Sequence, residues 1–285
     1  MVESQRTRSL ARLRKLVTTV SMAGALALPS VAFAQSPNQG ALTIIGGVDA
    51  PSVYVLRGLV QESDPSLTLT PWADLGITLK QRDGVRRLGV NVGVWHSLNT
   101  GNAGTKGFTE HLHYAETVYG SLGIGLGRHT LVAATYTAYT SPNLMFNTVK
   151  EVSVTAAYAN RIQPYARVAF EVGEWGMDGG TNKGTYVELG AAPSVLSKKR
   201  ASLTVPVKLG VSAKDYYELD GTDHPFGFLS VGGLLTMRLT APASSFGAWS
   251  LRGGVDYYTF GDTTKAVNAG EGHKLVGLVG IGLAY

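Results

Sequence analysis

Apolar and polar residues alternate along several long segments of the chain. One face of the segment 201–212 carries the apolar side chains Leu203, Val205, Val207, Leu209 and Val211. The intervening residues are small or polar, apart from Pro206, and segments 164–172 and 67–80 repeat the pattern. A period of two sustained over this length is typical of β-strands with two different faces, and not of helices.

The same alternation predicts twelve strands. They lie near 52–60, 66–80, 86–95, 110–125, 129–140, 148–159, 164–174, 184–193, 201–213, 227–239, 248–260 and 273–285. A tilted strand of about 9 to 11 residues crosses a membrane, and bacterial single-chain barrels have an even strand number. We therefore predict an all-β fold, a closed antiparallel transmembrane β-barrel formed by residues 52–285. Merging segments within 110–140 would give ten strands instead.

Short and long connections alternate between the predicted strands. If the first strand starts in the periplasm, the inner turns are 81–84, 126–128, 160–163, 196–200 and 241–247. The outer loops are then 61–65, 96–109, 141–147, 175–183, 214–226 and 261–272. Short periplasmic turns and longer extracellular loops are typical of outer-membrane barrels. The brief first loop is the exception.

Aromatic residues flank the predicted strands, as they do where rings lie at a membrane interface. Those assigned to the outer rim are Trp95, Tyr139, Trp175, Tyr216, Tyr217 and Phe226, and those assigned to the inner rim are Tyr158, Tyr165, Trp249 and Tyr285. The alternative is a soluble β-sandwich with aromatic residues beside its turns. The last strand alternates up to Tyr285, which resembles the C-terminal signal of outer-membrane barrels. We therefore expect outer-membrane lipid, lipopolysaccharide and, through this strand, the barrel-assembly machinery as partners.

The first 34 residues predict a cleaved signal peptide. A basic leader precedes an uncharged, largely apolar run, 16–28, and Ala32-Phe33-Ala34 supplies small residues at a cleavage site. The alternative is a spanning helix, but the run is shorter than the roughly 20 residues that a bilayer requires. We expect cleavage after Ala34, then a short periplasmic segment, 35–51, and export to the outer membrane.

Removal of this leader changes the charge balance. It holds five of the 25 basic and one of the 20 acidic residues, so 20 basic and 19 acidic residues remain. The nearly neutral chain gives no support to nucleic-acid binding. With no cysteine in the sequence, disulfides and thiolate metal sites are excluded.

Strand parity directs most of the charges within the predicted strands toward the barrel lumen. The lumen-lining candidates are Asp74, Arg167, Glu171, Glu188, Lys208, Arg252 and Asp256. Arg57 is a further candidate, although its neighbours on the same face are apolar. A basic side chain that faces lipid at the midplane costs about 2 to 4 kcal/mol. These charges either line a solute pathway or pair with one another and fill a narrow barrel.

Glycines on the same face present a similar choice. The lumen-facing positions either leave open space or let bulky neighbours fold across them; they are Gly89, Gly93, Gly210, Gly232, Gly254, Gly280 and Gly282. A barrel of about twelve strands lies between the filled small barrels and the wide porins. Its lumen would pass small solutes at most.

The sequence carries no strong enzymatic signature. Gly120-Ser121-Leu122-Gly123 does not have the spacing of a nucleophile elbow. Ser121 with His129 as a lipase pair, and His111 with His113 as metal ligands, are weak alternatives. We expect no enzymatic activity, no cofactor and no metal.

Three short segments resemble a known family. Tyr54-Val55-Leu56-Arg57-Gly58-Leu59, Gly93-Val94-Trp95 and 136–142 are similar to segments of the TorF-like bacterial outer-membrane porins, which typically carry Tyr-x-x-Arg-Gly near the mature N-terminus. The resemblance covers about the first half of the chain. It implies a porin-like barrel and names no substrate.

These observations predict an outer-membrane channel for passive diffusion of small hydrophilic solutes. The rival hypothesis is a closed barrel with a structural or scaffolding role, which binds partners through its loops or turns. Porins are often oligomeric, and the sequence leaves an oligomer open.

Overall fold

The protein is a closed antiparallel β-barrel of twelve strands. The computed structural model describes residues 41–61, 65–82, 86–101, 112–127, 129–241 and 246–285. Each strand pairs with its neighbours in the chain, and the first pairs with the last from Ile45 opposite Ala284 to Pro51 opposite Leu278. Closure leaves no free sheet edge, as the sequence pattern predicts. The predicted signal peptide lies outside the described residues.

The strands have the following bounds. They are β1 (Leu42–Pro51), β2 (Val55–Leu56), β3 (Leu59–Val60), β4 (Pro65–Arg82), β5 (Arg86–Gly101), β6 (His113–Leu126), β7 (Thr130–Thr140), β8 (Val149–Tyr158), β9 (Tyr165–Glu171), β10 (Thr185–Ala191), β11 (Ser194–Ser197), β12 (Ala201–Thr204), β13 (Val207–Lys214), β14 (Glu218–Leu219), β15 (Thr222–Asp223), β16 (Phe226–Arg238), β17 (Ala248–Phe260) and β18 (His273–Ala284). β10 with β11 and β12 with β13 each form one barrel strand, and β2–β3 and β14–β15 are small separate hairpins. A short helix, α1 (Asp262–Val267), lies between β17 and β18.

The predicted first strand, 52–60, is wrong. The first barrel strand is β1, so most of the predicted periplasmic segment 35–51 belongs to the barrel wall. The alternation of apolar and polar residues in β1 is interrupted by Gly46-Gly47, and for this reason the sequence pattern did not predict this strand. In 52–60, Arg57 and Gly58 have φ of 50° and 83°. Two positive φ values are those of a two-residue type I′ turn, so the alternating residues form the β2–β3 hairpin.

With β1 as the first strand, the first loop is no longer an exception to the alternation of short and long connections. The chain between β1 and β4 runs from residue 52 to residue 64, so the first connection is long like the others at its end of the barrel. We call this end the loop end. The opposite end, which carries the shorter connections such as 198–200, is the turn end.

The outer wall of the barrel is apolar. Alternate residues of the strands expose large apolar side chains, among them Ile77, Val92, Leu122, Val154 and Val279. A continuous exposed apolar belt is the opposite of a soluble protein's surface and is the surface that hydrocarbon solvates. Among the described residues, no helix is both long and apolar enough to cross a bilayer.

Most of the aromatic residues predicted at the outer rim point into the barrel instead. Trp95 packs on Tyr54 with ring centroids 4.6 Å apart, and Tyr139, Tyr216 and Tyr217 are buried. These rings surround the β2–β3 hairpin, which brings its own apolar side chains inside the loop end. The predicted rim residues with exposed side chains are Phe226, Tyr158 and Tyr285.

Candidate functional site in the barrel lumen

Residues 52–61, which we call the plug, fold into the loop end of the barrel. The β2–β3 hairpin gives this segment two faces because its side chains alternate. Val53 and Val55 pack into a cluster that includes Tyr186, Tyr217 and Phe228. Tyr54 and Leu56 pack into a second cluster, formed with Tyr114, Ala115, Tyr139 and Val149. The two faces of the hairpin therefore contact different parts of the barrel wall.

Arg57, at the tip of the hairpin, is held by an ion pair with Glu151 of β8. Its Nη2 donates to Oε2 of Glu151 over 2.7 Å, and its Nη1 contacts the other carboxylate oxygen and the hydroxyl of Tyr216. The guanidinium also lies 4.3 Å from the ring centroid of Tyr186. Arg57 and Glu151 are only 7% and 1% exposed. A planar guanidinium is suited to this combination of a two-point carboxylate pair with aromatic contacts.

The protonation states at the plug favour these contacts. Burial alone would lower the pKa of Arg57, but the Glu151 carboxylate and the surrounding tyrosines outweigh it, and the pKa lies well above its ordinary value. Burial raises the pKa of Tyr216 and of Tyr217 well above its ordinary value. Both phenols therefore stay protonated near neutral pH and can donate hydrogen bonds.

Two loops bind the plug backbone directly. The Tyr217 hydroxyl donates to the carbonyl of Arg57 over 2.8 Å. Asn268, at the C-terminal end of α1, donates from Nδ2 to the carbonyl of Gly58 and accepts from the amide of Val60, each over 2.8 Å. The connections after β13 and β17 thus clamp a segment that follows β1.

The eight predicted lumen residues all have buried side chains, between 1% and 8% exposed. Glu188 accepts hydrogen bonds from the hydroxyls of Tyr165 and Tyr186, over 2.7 and 2.6 Å. It lies opposite Arg167 on the neighbouring strand. Lys208 interacts electrostatically with both Glu188 and Asp256. These charges form one mixed cluster on the wall from β9 to β17.

Arg252 pairs with Asp49, a residue of β1 that the sequence analysis missed. Nη2 of Arg252 lies 2.6 Å from Oδ1 of Asp49, and the indole of Trp72 donates to Oδ2 over 3.1 Å. Asp49 was missed because β1 was placed outside the barrel. Glu151 was missed although strand parity places it with Ser153 on the inner face of β8, opposite to the outward-facing Val152 and Val154.

The two remaining predicted carboxylates bind neutral donors. Asp74 accepts from Nδ2 of Asn91 over 2.7 Å and from the hydroxyl of Tyr119 over 2.8 Å. Glu171 accepts from the amides of Met177 and Gly184 over 2.6 and 2.8 Å. Glu171 therefore anchors the connection between β9 and β10, and this connection packs against the plug through Met177.

Neighbouring side chains cover four of the seven predicted lumen-facing glycines closely. A Cβ atom on any of these glycines would overlap the neighbouring side chain. The pairs are Gly93 with Tyr119, Gly210 with Phe228, Gly232 with Asp256 and Gly280 with Asp49. At these positions glycine has no side chain, so the neighbouring side chain occupies the space and the lumen is not open there.

The weaker sequence candidates do not form a site together. The Ser121 side chain is buried on the lumen face of β6, whereas the exposed ring of His129 contacts the carbonyl of Ala159 at the turn end. The structure thus gives no nucleophile and base pair from these two residues. His111 lies outside the described residues, and His113 lies beside His96.

Comparisons with known proteins find barrels and no sequence relatives. No protein-family model matches the sequence. No curated protein matches it either. The resemblance to TorF-like porins therefore stays a prediction.

Among solved structures, the chain is similar to an outer-membrane channel of Pseudomonas putida F1 named COG4313, with 12% identity over 88% of this chain and 98% of that chain and a TM-score of 0.47. It is similar to the translocator domain of the autotransporter NalP from Neisseria meningitidis, with 12% identity over 99% and 97% of the two chains and a TM-score of 0.42. It is also similar to the NanC porin, with 10% identity over 85% and 99% and a TM-score of 0.41.

Proposed function

We propose that the protein is an outer-membrane channel for small hydrophilic solutes, closed at rest by the plug. The observation that carries this proposal is the charge inside the barrel. Among the described residues, six acidic and four basic side chains are buried there: Asp49, Asp74, Glu151, Glu171, Glu188 and Asp256, with Arg57, Arg167, Lys208 and Arg252. Buried ion pairs seldom stabilise a protein more than apolar packing would. In a solute pathway, these charged side chains would instead contact water and hydrophilic solutes when the channel is open.

The charge count bears on selectivity. Six carboxylates against four cations give the buried side chains of the described interior an excess of two acidic groups. Displacement of the plug removes Arg57 from the wall and makes the difference larger. We therefore propose passive diffusion with a weak preference for cations, limited to small solutes because a twelve-stranded barrel is narrower than the porins.

The apolar outer belt supports a membrane location, and the predicted signal peptide supports export through the periplasm. In this arrangement the turn end faces the periplasm and the loop end, with the plug, faces outward. Lipid and lipopolysaccharide would contact the outer wall. The barrel-assembly machinery would bind β18, whose outward apolar residues continue to Tyr285.

A closed structural barrel is the second candidate, and one observation favours it. The interior charges are almost inaccessible to solvent, and side chains fill the space beside several lumen glycines. A protein of this kind would bind partners through its loops or turns and would conduct nothing.

Deletion of residues 54–60 separates the two candidates. The deletion leaves residues 52, 53 and 61–64 to join β1 to β4, a length that is common for hairpin connections. The purified full-length chain and the deletion variant would be compared in planar bilayers under a salt gradient. The channel hypothesis requires steady conductance of the variant with a cation-selective reversal potential. Sealed bilayers with both proteins, each verified as a folded barrel by heat-modifiable migration, would refute it and leave the closed barrel.

A further inference from the structure

Two histidines and a glutamate meet on the outer face of the barrel near the loop end. Nδ1 of His96, on β5, lies 2.9 Å from Nε2 of His113, on β6. Oε2 of Glu116, also on β6, lies 3.9 Å from the first nitrogen and 4.0 Å from the second. Three potential ligand atoms therefore form a compact triangle. None of these side chains takes part in the lumen network or contacts the plug.

A β-bulge in β6 assembles this triangle. Ser97 lies opposite Ala115, but the next residue, Leu98, lies opposite His113, so Tyr114 is the extra residue of the bulge. A bulge changes the direction of the side chains beyond it. Tyr114 turns inward and packs in the cluster with Tyr54 and Leu56 of the plug, and His113 lies on the outer face. Without the bulge, parity would put Tyr114 on that face instead.

The distances suit a tetrahedral ion. Bonds of about 2.0 to 2.1 Å from zinc to its ligands place the ligand atoms about 3.4 Å apart. One side of the triangle is shorter than this value and two are longer, so shifts of a few tenths of an ångström would bring all three atoms into range. The side chains of His96 and His113 are each 28% exposed and that of Glu116 is 32% exposed, so the rest of the protein does not cover the site.

The chemistry of the ligand set selects the class of ion. Two imidazoles with one carboxylate are a common zinc ligand set that leaves a fourth position for water. Imidazole nitrogen also binds Cu²⁺ and Ni²⁺, whereas Mg²⁺ and Ca²⁺ prefer oxygen. Two nitrogens at 2.9 Å share one hydrogen in the metal-free state, and that hydrogen would move to the other nitrogen of its own ring when an ion binds.

We propose that His96, His113 and Glu116 form a binding site for a divalent transition-metal ion, with Zn²⁺ as the reference ion. The bound ion would link β5 to β6 at the loop end, on the outside of the barrel. The site is independent of transport, because its residues face away from the lumen.

Equilibrium dialysis against Zn²⁺ alone tests the site. The full-length protein would carry no histidine tag and would be freed of metal with a chelator before dialysis. We expect one ion per chain, with binding weakened at least about tenfold in His96→Ala and in His113→Ala. The matched control is His224→Ala, because His224 lies 3.7 Å from the carboxylate of Asp262 and belongs to no group of three potential ligands among the described residues. Dialysis against Mg²⁺ should give no bound ion.

Three results would overturn the proposal. They are the absence of stoichiometric zinc at about 100 µM free ion, unchanged binding in the double variant of His96 and His113, and an equal loss of binding in the His224 control. Heat-modifiable migration verifies that each variant is folded, and the outward position of the two imidazoles makes folding insensitive to their removal. X-ray absorption at the zinc edge supplies a second measurement. Two imidazole ligands per ion support the proposal, and fewer than two contradict it.

Discussion

Replacement of Arg57 by alanine should open the channel. The substitution removes the only arginine of the plug and leaves Glu151 without its ion-pair partner. In the closed state this carboxylate would then lie buried beside neutral phenols, whereas in the open state water in the lumen would hydrate it. The change therefore destabilises the closed state more than the open one.

The magnitude follows from the burial of the pair. Removal of one partner from a buried ion pair costs about 3 to 5 kcal/mol, and no discount for solvent screening applies because the Arg57 and Glu151 side chains are only 5% and 2% exposed. Since 1.4 kcal/mol corresponds to a tenfold change in an equilibrium constant, the ratio of open to closed channels should rise by about 10² or more. The apolar contacts of the plug remain in the variant and limit the effect.

Single-channel recording measures this ratio directly. Lys214→Ala is the control, because it removes another cation at the loop end whose side chain is 71% exposed and makes no contact with Glu151. The double variant Arg57→Met with Glu151→Leu should close again, since an apolar pair leaves no buried charge. Equal open probabilities for the full-length chain and Arg57→Ala, measured on folded barrels, would show that the ion pair does not hold the plug.

Three further predictions concern other contacts. Asp49→Ala leaves Arg252 without its buried partner and should lower the free energy of unfolding by about 3 to 5 kcal/mol in urea titrations; an unchanged midpoint would contradict the importance of that pair. Asn268→Ala removes two hydrogen bonds to the plug backbone, worth about 1 to 3 kcal/mol together, and should raise open probability about tenfold, less than the arginine variant does. Gly93→Ala should lower stability by about 1 to 3 kcal/mol because a tyrosine ring covers that position, whereas Gly120→Ala, with open space around it, should change it by less than about 0.5 kcal/mol; equal effects would exclude the packing argument.

The barrel could be predicted from the sequence because its strands need two different faces. In β8, Val152 and Val154 alternate with Glu151 and Ser153. This local alternation indicates which side chains face lipid and which face the lumen, and no distant residue is needed to read it. The strand number of twelve is also correct, but only because the hairpin at 52–60 was counted as a strand in place of β1. The two small apolar faces of the hairpin at 52–60 produced an identical pattern, so periodicity alone could not separate a wall strand from a plug.

Side-chain direction at the loop end could not be predicted. Trp95 and Tyr139 lie near the ends of the predicted strands 86–95 and 129–140, where rings at a membrane interface and rings that pack on the plug occupy the same sequence positions. The bulge at Tyr114 has a similar effect, because one inserted residue reverses parity for everything beyond it. His113 therefore faces a partner that lies 17 residues away in the sequence, and no local pattern joins it to His96.

The plug has a consequence for the order of folding. Its contacts join Arg57 to residues 94 and 159 positions further along the chain, and Gly58 to a residue 210 positions further along. Contacts of such long sequence separation form only after intervening chain has been organised. The hairpin can therefore reach its final place only when the wall around it is complete, and its docking would be among the last events of barrel biogenesis.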